Sequence, residues 1–185
     1  MAKHVLLGSS YVSRLERAFA NNLKIPGHVF FMGKGGMKTD NIPTEFLTSI
    51  KRIQPDCVFV HLGGNDITSD SYPKDIATRL LCLYDDLLKS GVKYVFVAEI
   101  IPRRPSQRHC PGLTHAEFET QRKRVNCYLK KKIGQRLVRF KQITFPKDYD
   151  NDEIHLSTTA QSGRCGLEKY FFRIRRVLLS VCVTR

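Results

Sequence analysis

Apolar and polar positions alternate along this chain in blocks that change period, and the period names the elements. Short apolar runs rich in β-branched and aromatic residues predict strands: Lys3 to Leu7, Val29 to Met32, Cys57 to Val60, Tyr94 to Ala98 and Val138 to Ile143. Between them, apolar residues recur every three or four positions, the spacing of one helical face. Leu15, Ala18, Phe19 and Leu23 predict a helix over Ser13 to Leu23, and Phe46, Leu47, Ile50 and Ile53 one that starts near Pro43. Pro73 suits a first helical turn, and Ile76, Leu80, Leu83, Leu87 and Leu88 carry that helix to a stop at Gly91. A long helix follows over roughly His115 to Gly134, and a last one over roughly Ala160 to Val181.

Strand and helix alternate with enough regularity to predict an α/β fold, a mostly parallel five-stranded sheet covered by helices on both faces. No repeat, low-complexity segment or linker interrupts the pattern. The 185 residues, 42 % of them hydrophobic, suit a single domain over residues 1–185. No run of 18 apolar residues exists to span a bilayer. The first strand starts almost at Met1, and the apolar segment there is too short for a signal peptide. Either the protein begins abruptly or this is a domain of a longer chain. Six cysteines without a CxxC pair or metal-ligand rhythm predict reduced thiols in cytoplasm or nucleus, with no disulfide framework and no metal site.

Charge changes the picture. The formal net charge is +14. Between Ile101 and Lys141 stand twelve lysines and arginines, among them Arg103, Arg122, Lys123, Arg124, Lys130, Lys131 and Lys132, against two glutamates. Arg173, Arg175 and Arg176 form a second cluster. Such a stripe is either a solvated face or a sequence-independent binder of nucleic acid or an anionic membrane surface, and the one-sided sign favours the second.

The candidate chemistry lies at predicted C-terminal strand ends, where open α/β sheets bind ligands. Ser10 follows the first strand at the entrance to a helix, as an N-cap or as a nucleophile favoured by the helix dipole. Gly33-Lys34-Gly35-Gly36 follows the second strand; an amide there could donate to an oxyanion. The loop lacks the GxxxxGK[ST] and GxGxxG patterns, so nucleotide binding ranks low. His61-Leu62-Gly63-Gly64-Asn65-Asp66 closes the third strand and offers the Asn65 carboxamide. Asp152 and His155 precede the last helix on one loop, a base and the carboxylate that orients it, or two solvated residues.

Taken in order, Gly8-Ser9-Ser10, Gly36, Gly63-Gly64-Asn65-Asp66 and Asp152-x-x-His155 resemble the four blocks of the SGNH (GDSL-type) hydrolases. The resemblance implies a three-layer sandwich, as in flavodoxin-like folds, and a serine esterase that acts on a carboxylic ester, acetyl or short-chain acyl, with no cofactor. It further implies Ser10 as nucleophile, His155 as base and Asp152 as its partner. Ser10, Gly36 and Asn65 would be the oxyanion donors, with Gly33 and Gly35 as alternative registers. One departure stands out: Ser9 occupies the position of the family's usual Asp, which puts full activity in doubt. The alternative is a degenerate module of the same fold that binds through its basic face. More narrowly, VLLGSSYVSRL, HLGGNDI and the Pro/Arg-rich loop resemble esterase domains encoded by retrotransposons or genes descended from them.

Overall fold

The computed structural model describes residues 1–19, 23–108, 110–160 and 162–182. Five strands, β1 (Lys3–Gly8), β2 (His28–Gly33), β3 (Cys57–His61), β4 (Tyr94–Ala98) and β5 (Leu137–Val138), form one sheet in the order β2-β1-β3-β4-β5. Every pairing is parallel. Five helices connect and follow them: α1 (Ser10–Phe19), α2 (Thr44–Ile53), α3 (Pro73–Lys89), α4 (His115–Ile133) and α5 (Gly166–Cys182).

Because side chains alternate along a strand, each strand feeds two cores. Val5, Leu7, Val58 and Val60 pack with Ile50 of α2, Leu80 of α3 and Phe118 and Leu129 of α4. Leu6, Cys57 and Phe59 pack on the other face with Leu15 of α1 and Tyr170 and Ile174 of α5. The result is the expected three-layer α/β sandwich. The chain runs from β1 out to the edge strand β2, then crosses back to β3 on the other side of β1. The winding of the chain across the sheet therefore reverses between β1 and β3, and a crevice opens beyond their C-terminal ends. Gly33 lets α1 sit against the end of β2, since a Cβ there would stand 2.4 Å from the Ser13 backbone nitrogen.

Three boundaries differ from the sequence expectation. The fifth strand has two residues, not Val138 to Ile143. Glu99 intervenes: its backbone N–H donates to the Val138 carbonyl at 2.9 Å, and its carboxylate accepts from the Phe140 N–H at 2.7 Å. The chain thereby turns out of the sheet, and Phe140 stacks on Tyr170 at 5.0 Å between centroids. The apolar residues that read as strand are core-facing loop. The last helix starts at Gly166, six residues after Ala160. Its N-terminus is set by tertiary contacts, with the Gly166 N–H donating to Ser157 Oγ at 3.0 Å and the Leu167 N–H to the Ser157 carbonyl at 3.0 Å. The first helix begins three residues early, at Ser10 itself, and ends at Phe19; residues 20–22 of the expected span lie outside the described residues. Elsewhere the expected helices hold, and α4 opens on a capping box between Thr114 and Glu117.

Candidate active site

Ser10 is the first residue of α1. The Ser9 carbonyl accepts the opening bonds of that helix, from Val12 N–H at 3.0 Å and Ser13 N–H at 3.4 Å. The Ser10 side chain thus stands in the positive field of a helix N-terminus. Ser9 is buried, and its N–H donates to the His61 carbonyl at 3.3 Å, which draws the ends of β1 and β3 together.

Asn65 shares a small cleft with Ser10, closed by Ile100, Ile101 and Arg103. The cleft has about 10 Å³ of free volume, room for a single water-sized oxygen. The Asn65 carboxamide is fixed at both ends: Nδ2 donates to the Met37 carbonyl at 3.1 Å, and Oδ1 accepts from Arg103 Nη2 at 2.9 Å. A carboxamide nitrogen has two hydrogens, so one N–H of Asn65 remains to donate.

Gly36 lies at the exposed crown of the loop after β2, with φ at +73°, a left-handed conformation that glycine adopts without strain. Two contacts tie that loop to its neighbours. The Lys34 N–H donates to the Gly8 carbonyl at 3.1 Å, and the buried Asp66 carboxylate accepts from the Thr39 N–H at 3.0 Å and from the Thr39 hydroxyl. Asp66 therefore braces the loop that follows β2 against the turn that follows β3, with Arg79 Nη2 3.4 Å from its carboxylate.

Asp152 and His155 are paired. His155 Nδ1 lies 2.6 Å from Asp152 Oδ2, while Asp152 Oδ1 accepts from the backbone N–H groups of Ile154 and His155, both at 2.9 Å. Partial desolvation pushes the Asp152 carboxyl up, but the hydrogen bonds from His155 and Ile154 outweigh it and bring it down to about 2. The loop is pinned to α1: Tyr11 Oη donates to the Ile154 carbonyl at 2.8 Å, and Arg14 Nη1 to Asp150 at 3.1 Å. The Tyr11–Ile154 bond is one residue from Ser10 and one residue from His155. Among the described residues, no hydrogen bond joins Ser10 Oγ to the His155 ring or to any other group, and His155 Nε2 is likewise without a partner.

Arg103 is the residue that sequence reasoning misassigned. It belongs to the run counted as a basic surface, yet it is 6 % exposed. Its Nη2 reaches the Gly64 carbonyl at 2.8 Å as well as Asn65, its guanidinium lies 5.4 Å over the Phe118 ring, and no carboxylate among the described residues pairs with it. Its position five residues past the end of β4, on the same sheet edge as Ser10 and Asn65, was the one signal available. Arg122 also leaves the basic surface: both ends of its guanidinium meet Glu119, at 2.8 and 2.6 Å, and Nη1 donates to the Ile100 carbonyl. Lys123, Arg124, Lys130, Lys131 and Lys132 are exposed on α4 as expected.

No group of His, Cys, Asp or Glu among the described residues is arranged to hold a metal ion, and no helix is long and apolar enough to cross a membrane. Residues 6–161 match the model of the GDSL-like Lipase/Acylhydrolase family. No curated protein matches by sequence. Among solved structures, a GDSL-like lipase from Bacteroides thetaiotaomicron superposes with a TM-score of 0.73 at 14 % identity, over 96 % of this chain and 88 % of that one. A carbohydrate acetylesterase from Sinorhizobium meliloti gives 0.68 at 17 % identity, over 100 % and 99 %. The aryl esterase of M. smegmatis gives 0.65 at 16 %, over 100 % and 99 %. At these identities the likeness is one of fold.

Proposed function

Because the chain belongs to the GDSL-like lipase/acylhydrolase family, we propose that it is a serine esterase that cleaves small carboxylic esters through an acyl-enzyme. The observation that carries this reading is the Asp152–His155 pair, held by Tyr11 against the first turn of the helix that opens with Ser10. Asp152 accepts at Nδ1 of the imidazole, which leaves Nε2 as the base. As substrate docks, Nε2 takes the Ser10 proton and Oγ attacks the acyl carbon. The oxygen of the tetrahedral intermediate then receives hydrogen bonds from the Ser10 and Gly36 amides and the remaining N–H of Asn65. His155 returns the proton to the departing alcohol, and water repeats the sequence to release the acid. A hydrogen bond between base and nucleophile that forms only in the substrate complex is ordinary for such sites.

The one-oxygen cleft beside Asn65 suits the oxyanion of a tetrahedral intermediate, and acetylesterases share the fold. Six free cysteines support a reducing, intracellular setting. The test is hydrolysis of p-nitrophenyl acetate, together with labelling by a fluorophosphonate. Ser10→Ala should abolish both; equal hydrolysis by wild type and variant would sink the reading.

A further inference from the structure

Two adjoining clefts that share no residue with the Ser10 cleft lie between α5 and the chain that follows β5. One, of about 330 Å³, has Arg139, Lys141, Lys169, Arg173 and Arg176 around an apolar floor. The second, also about 330 Å³, adds Arg164 and Arg175. Gln142, Arg173 and Arg176 line both, so the two form one depression along α5. No carboxylate lines either cleft. Arg139 has Glu99 at 3.6 Å and Lys169 has Asp148 at 2.6 Å. Lys141, Arg164, Arg173, Arg175 and Arg176 have no carboxylate partner among the described residues.

Three of these cations are also held in place. Arg173 Nε donates to the Arg139 carbonyl at 2.9 Å and Arg175 Nε to the Lys24 carbonyl at 3.3 Å, which leaves the terminal nitrogens of each fork to face solvent. The Arg164 guanidinium lies 3.9 Å over the Phe172 ring. Ordinary solvated faces mix both signs. Five uncompensated cations that converge on a concavity instead focus a positive potential, which an anion relieves.

We propose that this paired cleft binds the phosphodiester backbone of a single-stranded nucleic acid without reading its bases. Arginine forks match phosphate oxygens in pairs, and four of the five uncompensated cations are arginines. A depression that runs on from one cleft to the next suits successive phosphates of one strand. A bilayer is a poorer fit, because a surface seated on lipid inserts apolar side chains. The large hydrophobic residues exposed among the described residues, Met1, Tyr72, Leu88 and Tyr128, are all outside α5 and the segment before it. The α4 lysines line the exposed outside of a helix.

The experiment uses the whole chain and a fluorescein-labelled, mixed-sequence single-stranded RNA, read by anisotropy from about 50 to 200 mM salt. Wild type and Ser10→Ala should bind alike and weaken steeply as salt rises. Lys141→Glu with Arg176→Glu should weaken binding at least tenfold and flatten the salt slope, as loss of phosphate contacts requires. Lys131→Glu with Lys132→Glu should change it less than about threefold. The neutral pair Lys141→Gln with Arg176→Gln, checked by circular dichroism, should give a smaller loss in the same direction. The proposal is overturned by RNA binding that is absent or indifferent to salt, or by an equal loss from the α4 pair. It is equally overturned if vesicles of phosphatidylserine, rather than RNA, capture the protein in a Lys141- and Arg176-dependent way.

Discussion

Arg103 holds Asn65: its Nη2 donates to the carboxamide oxygen at 2.9 Å, from a guanidinium that is 6 % exposed and has no carboxylate partner among the described residues. A cationic donor on Oδ1 fixes which end of the amide faces the cleft and polarises the Nδ2 hydrogens, so Asn65 becomes the stronger donor. Arg103→Met should therefore lower kcat on p-nitrophenyl acetate by about 10² to 10³, the usual effect of losing one oxyanion donor, with KM changed little. Arg103→Lys should recover part of that loss. A rise in KM at constant kcat would show instead that Arg103 binds substrate in the ground state.

Asp152 orients the imidazole, and the hydrogen bonds from His155 and Ile154 hold its carboxyl at about 2 although desolvation acts the other way. The folded pKa lies below the ordinary value of 3.8, so the pair's contribution to stability is present above about pH 4 and fades as pH falls through about 2. Across the neutral range Asp152 remains ionised, so it sets no limb of a pH–rate profile between pH 5 and 8. Asp152→Asn keeps the shape but lets the ring take the wrong tautomer, and kcat should fall by about 10³ or more. An Asp152→Asn enzyme with unchanged kcat would contradict this assignment.

Sequence and structure agree where local pattern decides. Apolar runs located β1 to β4, and the ends of β1 and β3 put Ser10 and Asn65 on one sheet edge. What stayed hidden depends on partners distant in the chain. Charge along a sequence carries no information on burial, so Arg103 and Arg122 read as surface, although one supports Asn65 and the other closes on Glu119. The start of α5 is set by Ser157 and the end of β5 by Glu99, neither visible as a periodicity. The tie between Tyr11 and Ile154 spans 143 positions, and no local signal announces it.

Asp66 links two loops that would otherwise move separately. Its side chain is 1 % exposed and accepts from the Thr39 N–H and hydroxyl, with Arg79 alongside. Asp66→Ala removes the acceptor of those half-buried donors, at a cost of about 1–2 kcal/mol. It also frees the loop that carries Gly36, so kcat should fall along with the urea midpoint. Asp66→Asn retains an acceptor and should lose less of both. A stable, fully active Asp66→Ala would sever the brace from the site.

His61 gives the chain a built-in sensitivity to acid. Its ring is buried, stacked on Tyr11 at 4.9 Å and 7°, and lies 2.7 Å from Tyr170 Oη through Nδ1. Burial, and after it the positive charge of Arg103, pushes its pKa down to about 3. Between about pH 3 and the ordinary value of 6.5, the unfolded chain binds a proton at this position that the folded chain refuses. Stability must then rise with pH across that window, by up to about 1.4 kcal/mol per unit, and level off above it. Tyr11, which rests on the His61 ring, also holds the Ile154 carbonyl beside His155. Acid that favours charged His61 should therefore loosen the Asp152–His155 loop before the protein unfolds as a whole. Urea unfolding at pH 7.5 and 5.5 should show a midpoint that falls in the wild type and falls less in His61→Gln, whose carboxamide can still meet Tyr170 but does not titrate. Identical pH slopes for the two proteins would remove His61 as the origin.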